Sequence, residues 1–110
     1  MGRLTTHVLD TANGKPSAGM KIELSRLEGR GWQKLKTVTT NQDGRTDEPL
    51  LDGKELRAST YRLLFFVGDY FGDKIYLDQV PVRFNVADAN AHYHVPLLCS
   101  PWSYTTYRGS

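Results

Sequence analysis

The sequence predicts an all-β domain, a sandwich of two packed sheets built from about seven or eight short strands. Three observations carry this reading. Apolar residues recur at every second position in most segments, turn-forming Gly, Pro, Asn and Asp interrupt them at short intervals, and no stretch sustains the period of a long helix. With 110 residues, 39% of them hydrophobic and 11% aromatic, the chain supports one domain over residues 1–110 with an adequate but not generous core.

Taken in order, Leu4, Thr6 and Val8 share the inner face of a first strand, leaving Arg3, Thr5, His7 and Leu9 on the other, before Asn13-Gly14 and Pro16 end it. Ile22 and Leu24 then alternate with Lys21 and Glu23, and Glu28-Gly29-Arg30-Gly31 turns that strand into one running from about Trp32 to Thr40. Asp43-Gly44 makes a turn that Arg45 follows directly, and Glu48 to Ser59, with Pro49 and Asp52-Gly53, reads as a loop. The apolar run from Tyr61 to Val67 reads as the most buried strand, with little room for a wetted face. Gly68 to Lys74 has space for one or two helical turns, the one short helix expected. Val82, Phe84 and Val86 point inward from the next strand, as do Tyr93, Val95 and Leu97 from the one after it, whose other face carries His92, His94, Pro96 and Leu98. Ser100-Pro101-Trp102 is a turn, and Ser103 to Tyr107 returns as a strand beside the histidines.

The charge balance argues against a nucleic-acid partner. The net charge is +2, with 14 Lys and Arg interleaved among 12 Asp and Glu. The loose basic cluster of Arg26, Arg30, Lys34 and Lys36 is what the solvated face of a hairpin carries, and no nucleic-acid motif accompanies it. Cys99 is alone, which rules out an internal disulfide, and its place at an apolar strand end suits packing better than nucleophilic chemistry. Neither a signal peptide nor a bilayer-spanning run is recognisable, so a soluble, cytoplasmic protein without a membrane partner is expected.

Three histidines raise the question of function. His92 and His94 lie side by side on one strand face, and with His7 from a neighbouring strand they admit a three-imidazole zinc site. No acidic or cysteine ligand is closely associated in sequence, which favours a metal-free polar site from His7, Arg45 and His94. If these converge, neutral imidazoles would accept or relay a proton from water, while Arg45 would offer a fixed fork of donors to a carbonyl oxygen or an anionic ring. The nearby guanidinium would also disfavour the imidazolium form.

The sequence resembles the 5-hydroxyisourate hydrolase family, the transthyretin-related proteins, along nearly its whole length. The blocks that carry the resemblance are Thr6-His7-Val8-Leu9-Asp10, Gly14-Lys15-Pro16, Asp43-Gly44-Arg45, and His92-Tyr93-His94-Val95-Pro96-Leu97-Leu98 followed by Ser100-Pro101. The closing Tyr107-Arg108-Gly109-Ser110 is similar to the C-terminal tetrapeptide that marks the hydrolases and that the hormone-binding transthyretins lack. Cys99 and Trp102 depart from the commoner family residues, away from the inferred site.

The resemblance implies a transthyretin-like, two-sheet sandwich with one short helix, assembled as a homotetramer, a dimer of dimers with active sites in the channel between them. It places His7, Arg45 and His94 on the family's catalytic positions, adds Tyr107 and Ser110 as substrate-binding residues, and leaves His92 as a flanking residue. The implied reaction is hydrolysis of 5-hydroxyisourate without metal or cofactor. The alternative is a non-catalytic protein that holds a small hydrophobic ligand in the same channel.

Overall fold

In the computed structural model, which describes residues 1–72, 74 and 76–110, the strands form two sheets. One is ordered β2-β1-β8-β9, with β5 also pairing β1; it uses β1 (Arg3–Asp10), β2 (Lys15–Pro16), β5 (Leu51–Asp52), β8 (His92–Cys99) and β9 (Tyr104–Thr106). The other is ordered β4-β3-β6-β7, from β3 (Lys21–Glu28), β4 (Gly31–Thr39), β6 (Ser59–Phe65) and β7 (Val80–Val86). With β2 and β5 only two residues each, the remaining strands match the expected sandwich.

The predicted inner rows meet between the sheets. Leu4 and Val8 of β1, Ile22 and Leu24 of β3, Leu63 and Phe65 of β6, and Leu97 of β8 are all but fully buried. The hydroxyls of Tyr61, Tyr93 and Thr6 are satisfied, as burial without a partner would be costly, whereas among the described residues the buried Ser17 Oγ has no partner. The Tyr61 hydroxyl donates to the Arg57 carbonyl and accepts from its N–H, both at 3.1 Å, and the Tyr93 hydroxyl accepts from the N–H groups of Ala87 and Asp88, also at 3.1 Å. The Thr6 hydroxyl donates to the Val95 carbonyl at 2.7 Å, stitching β1 to β8 inside the core. Cys99 is buried, and burial pushes its thiol up to about 11, the state of a packing residue.

Several expectations need correction. The run from Tyr61 to Val67 is not one uniformly buried strand: β6 ends at Phe65, Leu64 is half-buried on the outer face, and Val67 opens the helix. The outer face is screened instead by long side chains, such as Lys21, whose ammonium sits 4.5 Å from the centre of the Phe66 ring. The segment Glu48 to Ser59 is not all loop, because it contains β5, a 3-10 turn over Gly53–Glu55, and the first residue of β6. Arg26 does not join a solvated basic face; it is buried and paired with Glu28 at 2.8 Å. The helix α1 covers Val67–Phe71, shorter than the expected segment, and Gly72 ends it in the left-handed conformation at φ 72°. Of the residues expected in that segment, Asp73 lies outside the described ones. A hydrogen bond of 2.8 Å from the Tyr70 hydroxyl to the buried Asp10 carboxylate fastens α1 to the end of β1.

Two features of β1 set the positions of the histidines and of Arg45. Along its whole length the strand pairs in parallel with β8, setting Arg3 opposite His92, Thr5 opposite His94 and His7 opposite Pro96. On its other side, the turn carrying Arg45 docks directly, with the Val8 N–H donating to the Gly44 carbonyl at 2.8 Å and an antiparallel bridge joining His7 to Arg45. The Asn41 side chain folds this turn, accepting from the N–H groups of Asp43 at 2.9 Å and Arg45 at 3.2 Å.

Gly44 cannot be replaced without moving that turn. Its φ is +74°, and a Cβ there would collide with the Val8 carbonyl oxygen that it packs against. Gly44→Ala is expected to destabilise the domain by about 1–3 kcal/mol, seen as a lower urea midpoint with an unchanged m-value. An unchanged midpoint would mean that the turn is not locked against β1.

Candidate active site

His7 on β1 and His94 on β8 point to the same side of the sheet because each belongs to the row opposite its strand's core residues. Both are half-buried, and their rings stack with centroids 6.5 Å apart and planes at 30°. Arg45 is exposed beside His7 across the bridge. Together with Tyr107 and Ser110 these residues line one open cleft of about 550 Å³, so the structure brings all five predicted site residues to a single place.

The chain end reaches the cleft by continuing the path of β9. That strand pairs antiparallel with β8 from Leu97↔Thr106 to Cys99↔Tyr104, and a further bridge lies at His94, where the Gly109 N–H donates to the His94 carbonyl at 2.8 Å. The Arg108 guanidinium lies 4.4 Å from the centre of the Tyr93 ring, which turns that side chain away from the cleft. A side chain at position 109 would not fit, since a Cβ would stand 2.5 Å from His94 Cδ2 and 3.3 Å from Pro96 Cγ. The same close packing explains why Pro96, on the cleft row of its strand, is nevertheless buried.

The site's electrostatics hold both imidazoles uncharged. Burial first, then the Arg45 guanidinium, pull His7 below its ordinary value of 6.5, against an opposing hydrogen bond to the Asp43 main chain and that residue's charge. His94 is likewise lowered, by burial and then by Arg45, His7 and His92. Neutral imidazoles beside a permanent cation are suited to moving protons while the cation holds a developing negative charge.

Sequence reasoning missed one close neighbour of this set. The Thr5 hydroxyl lies 2.8 Å from His94 Nδ1 and 3.0 Å from His92 Nε2. Thr5 is legible as a member of the His7 row, but its contact with two histidines depends on the β1–β8 register. Arg3, Asp47, Glu48 and Pro49 also line the cleft without a sequence signal to single them out. Among the described residues, no group of three or more His, Cys, Asp or Glu is placed to hold a metal ion, and no helix is long and apolar enough to cross a membrane.

A two-sheet sandwich whose terminal strands bring two imidazoles, a guanidinium and the chain's last residues into one cleft defines a transthyretin-like protein with a polar site. The family model described as HIUase/Transthyretin family matches residues 4–109. The chain is 59% identical to a 5-hydroxyisourate hydrolase of Mesorhizobium japonicum, over 99% of its own length and 93% of that protein's. The solved structure of the Klebsiella pneumoniae 5-hydroxyisourate hydrolase superposes with a TM-score of 0.84 at 32% identity, covering 100% of both chains. Sea bream transthyretin, solved in complex with thyroxine, superposes at 0.89 with 27% identity, covering 97% of this chain and 94% of that one. This chain belongs to the HIUase/Transthyretin family.

The lowered histidines can be checked directly by following their ring signals against pH by NMR. His7 and His94 are expected to titrate below 6.5, and Arg45→Gln should raise both midpoints, because removing the neighbouring cation makes imidazolium less unfavourable. Midpoints that ignore Arg45→Gln would show that the guanidinium does not act on the pair.

Proposed function

We propose that this chain hydrolyses 5-hydroxyisourate to 2-oxo-4-hydroxy-4-carboxy-5-ureidoimidazoline, a ring-opening step of urate degradation. The observation that carries the proposal is the convergence of His7, Arg45 and His94 with the Gly109-Ser110 end on one cleft. The name of the Mesorhizobium relative supplies the substrate. Water adds to the ring carbonyl carbon beside a ring nitrogen, and the carbon–nitrogen bond then opens. His7 and His94 share the work of orienting and deprotonating that water and returning a proton to the leaving nitrogen. Arg45 holds the planar, urate-like ring and opposes the charge that develops on the carbonyl oxygen. Tyr107 and Ser110 close the pocket wall. The attacked group is an activated cyclic amide and no electrons change hands, so these residues suffice for the chemistry.

The acting unit in this proposal is the single domain over residues 1–110, assembled as a homotetramer, a dimer of dimers. A face that mixes His7, Leu9, Arg45, His94 and Leu98 is suited to burial in a channel between subunits, where neighbouring copies would narrow the open cleft. The second reading, a non-catalytic protein for a small hydrophobic ligand, draws on the thyroxine held by the sea bream transthyretin. The polar lining contributed by His7, Arg45 and His94 favours the hydrolase.

The test generates 5-hydroxyisourate with urate oxidase and follows its ultraviolet absorbance. The protein should speed the decay well beyond the spontaneous rate; His7→Asn and His94→Asn should each lower turnover by roughly 10²-fold or more, and His92→Asn by much less. Sedimentation of the same samples reads the assembly. Decay no faster than without protein would overturn the hydrolase, and a fully active monomer would remove the channel.

A further inference from the structure

We propose that Thr5 is a proton-relay residue whose hydroxyl joins solvent-exposed His92 to His94, making His94 the proton donor of the pair and leaving His7 as the base. This role deepens the hydrolytic reading of the cleft and rests on it. Thr5 Oγ1 lies 2.8 Å from His94 Nδ1 and 3.0 Å from His92 Nε2, and a hydroxyl has one proton to donate. The single hydroxyl proton serves only one bare nitrogen, and in the relay state the hydroxyl donates to one ring nitrogen and accepts from the N–H of the other. The tautomers of the two histidines are therefore coupled: these two nitrogens cannot both be bare while both contacts are kept.

His7 differs. Its ring stands apart from the Thr5 line, with its centroid 6.5 Å from that of His94. A neutral imidazole there has one bare nitrogen, suited to take a proton from water. Asp43 also favours a positive charge on His7, in opposition to burial and Arg45. His94 has no such support, because Arg45, His7 and His92 all act against an imidazolium there. A donor that had to be cationic would rarely be ready in that position. Through Thr5, His94 can donate and remain neutral throughout.

The protons balance at each step. His7 takes one from the attacking water as the carbon–oxygen bond forms and later yields it to solvent. As the carbon–nitrogen bond breaks, His94 gives its Nε2 proton to the leaving nitrogen and receives the Thr5 proton at Nδ1. Thr5 in turn receives the Nε2 proton of His92, whose exposed ring takes a solvent proton at Nδ1 in the same step and stays neutral. The line resets when a solvent proton reaches the bare His94 Nε2, the protons run back to His92 Nε2, and His92 returns its Nδ1 proton to solvent.

The register explains why the residue at this point is Thr5. In the parallel pairing, Arg3 faces His92 and Thr5 faces His94, so the side chain at position 5 stands in the row between the two imidazoles. A hydroxyl on a β-branched carbon is held there with few rotamers to choose from.

The experiment compares Thr5→Val, which removes the hydroxyl while keeping the branching, with Thr5→Ser, which retains it. The readouts are kcat and KM for 5-hydroxyisourate and the ring 15N shifts of His94 in substrate-free protein. Thr5→Val should lower kcat roughly tenfold, less than the 10²-fold typical of losing the acid itself, with KM little changed. Thr5→Ser should restore most of the rate. Adding His92→Asn to Thr5→Val should slow it no further, because His92 acts only through the hydroxyl. In Thr5→Val the His94 15N shifts should move toward a mixture of tautomers. Wild-type kcat and unmoved His94 shifts in Thr5→Val would overturn the relay, as would Thr5→Ser as slow as Thr5→Val, or losses from Thr5 and His92 that multiply. Should the wild type itself fail to hydrolyse the substrate, the hydrolytic reading falls first, and the 15N shifts still report whether the hydrogen-bonded line exists.

Discussion

The parallel pairing of β1 with β8, strands at opposite ends of the sequence, sets Thr5 against His94 and His7 against Pro96 on the cleft side. On the core side the same register sets Leu4 against Tyr93 and Val8 against Leu97, all of them buried. Because side chains alternate between faces, a slip of one strand by a single residue would exchange one row for the other. Burying each large apolar side chain is worth about 1.5–3 kcal/mol, so the row as a whole is comparable with the roughly 5–15 kcal/mol that stabilises an entire domain. The core thus enforces the alignment of the cleft, and the imidazoles are held by strands whose positions are fixed from the opposite face.

The turn bearing Arg45 extends this constraint to the other edge of β1. With Gly44 against Val8, the guanidinium is set beside imidazoles that are already partly withdrawn from water. Burial and the cation act in the same direction, keeping both rings neutral, while the cation remains available to an electron-rich ring or a developing oxyanion. The chain end completes the enclosure through main-chain contact. Gly109 approaches His94 so closely that a methyl group would displace the ring, which accounts physically for a glycine at that point of the terminal tetrapeptide.

Much of this is legible from alternation alone. The rows of β1, β7 and β8 divide into core and outer residues as alternation predicts, except for Pro96, which is buried on the outer row of β8. The site residues are legible in part from chemistry and in full only through likeness to a family, since nothing in His7 or Arg45 taken singly distinguishes them from solvated side chains. The features hidden from the sequence depend on contacts that periodicity does not encode. The Thr5 hydroxyl between two histidines comes from a strand pairing that spans the chain, and the burial of Arg26 comes with its pairing to Glu28. The apolar run through Leu64 and Phe66 misleads because its outer face is covered by the stems and charges of long side chains such as Lys21, for which periodicity carries no signal.

Two cavities in the molecule differ in character. The cleft of His7, Arg45 and His94 is polar, whereas a smaller one of about 350 Å³, lined by Val82, Phe84, Tyr93 and Val95 together with Arg83 and Arg108, is the more apolar of the two. Binding of a urate-like ring at the imidazole–guanidinium cleft, on which the functional reading depends, is tested most directly by a crystal structure with urate, a stable ring of the same skeleton. The ring is expected against the Arg45 guanidinium, with a carbonyl carbon facing the free nitrogens of His7 and His94. Urate seated instead among Phe84, Tyr93 and Val95, with the cleft untouched, would contradict it.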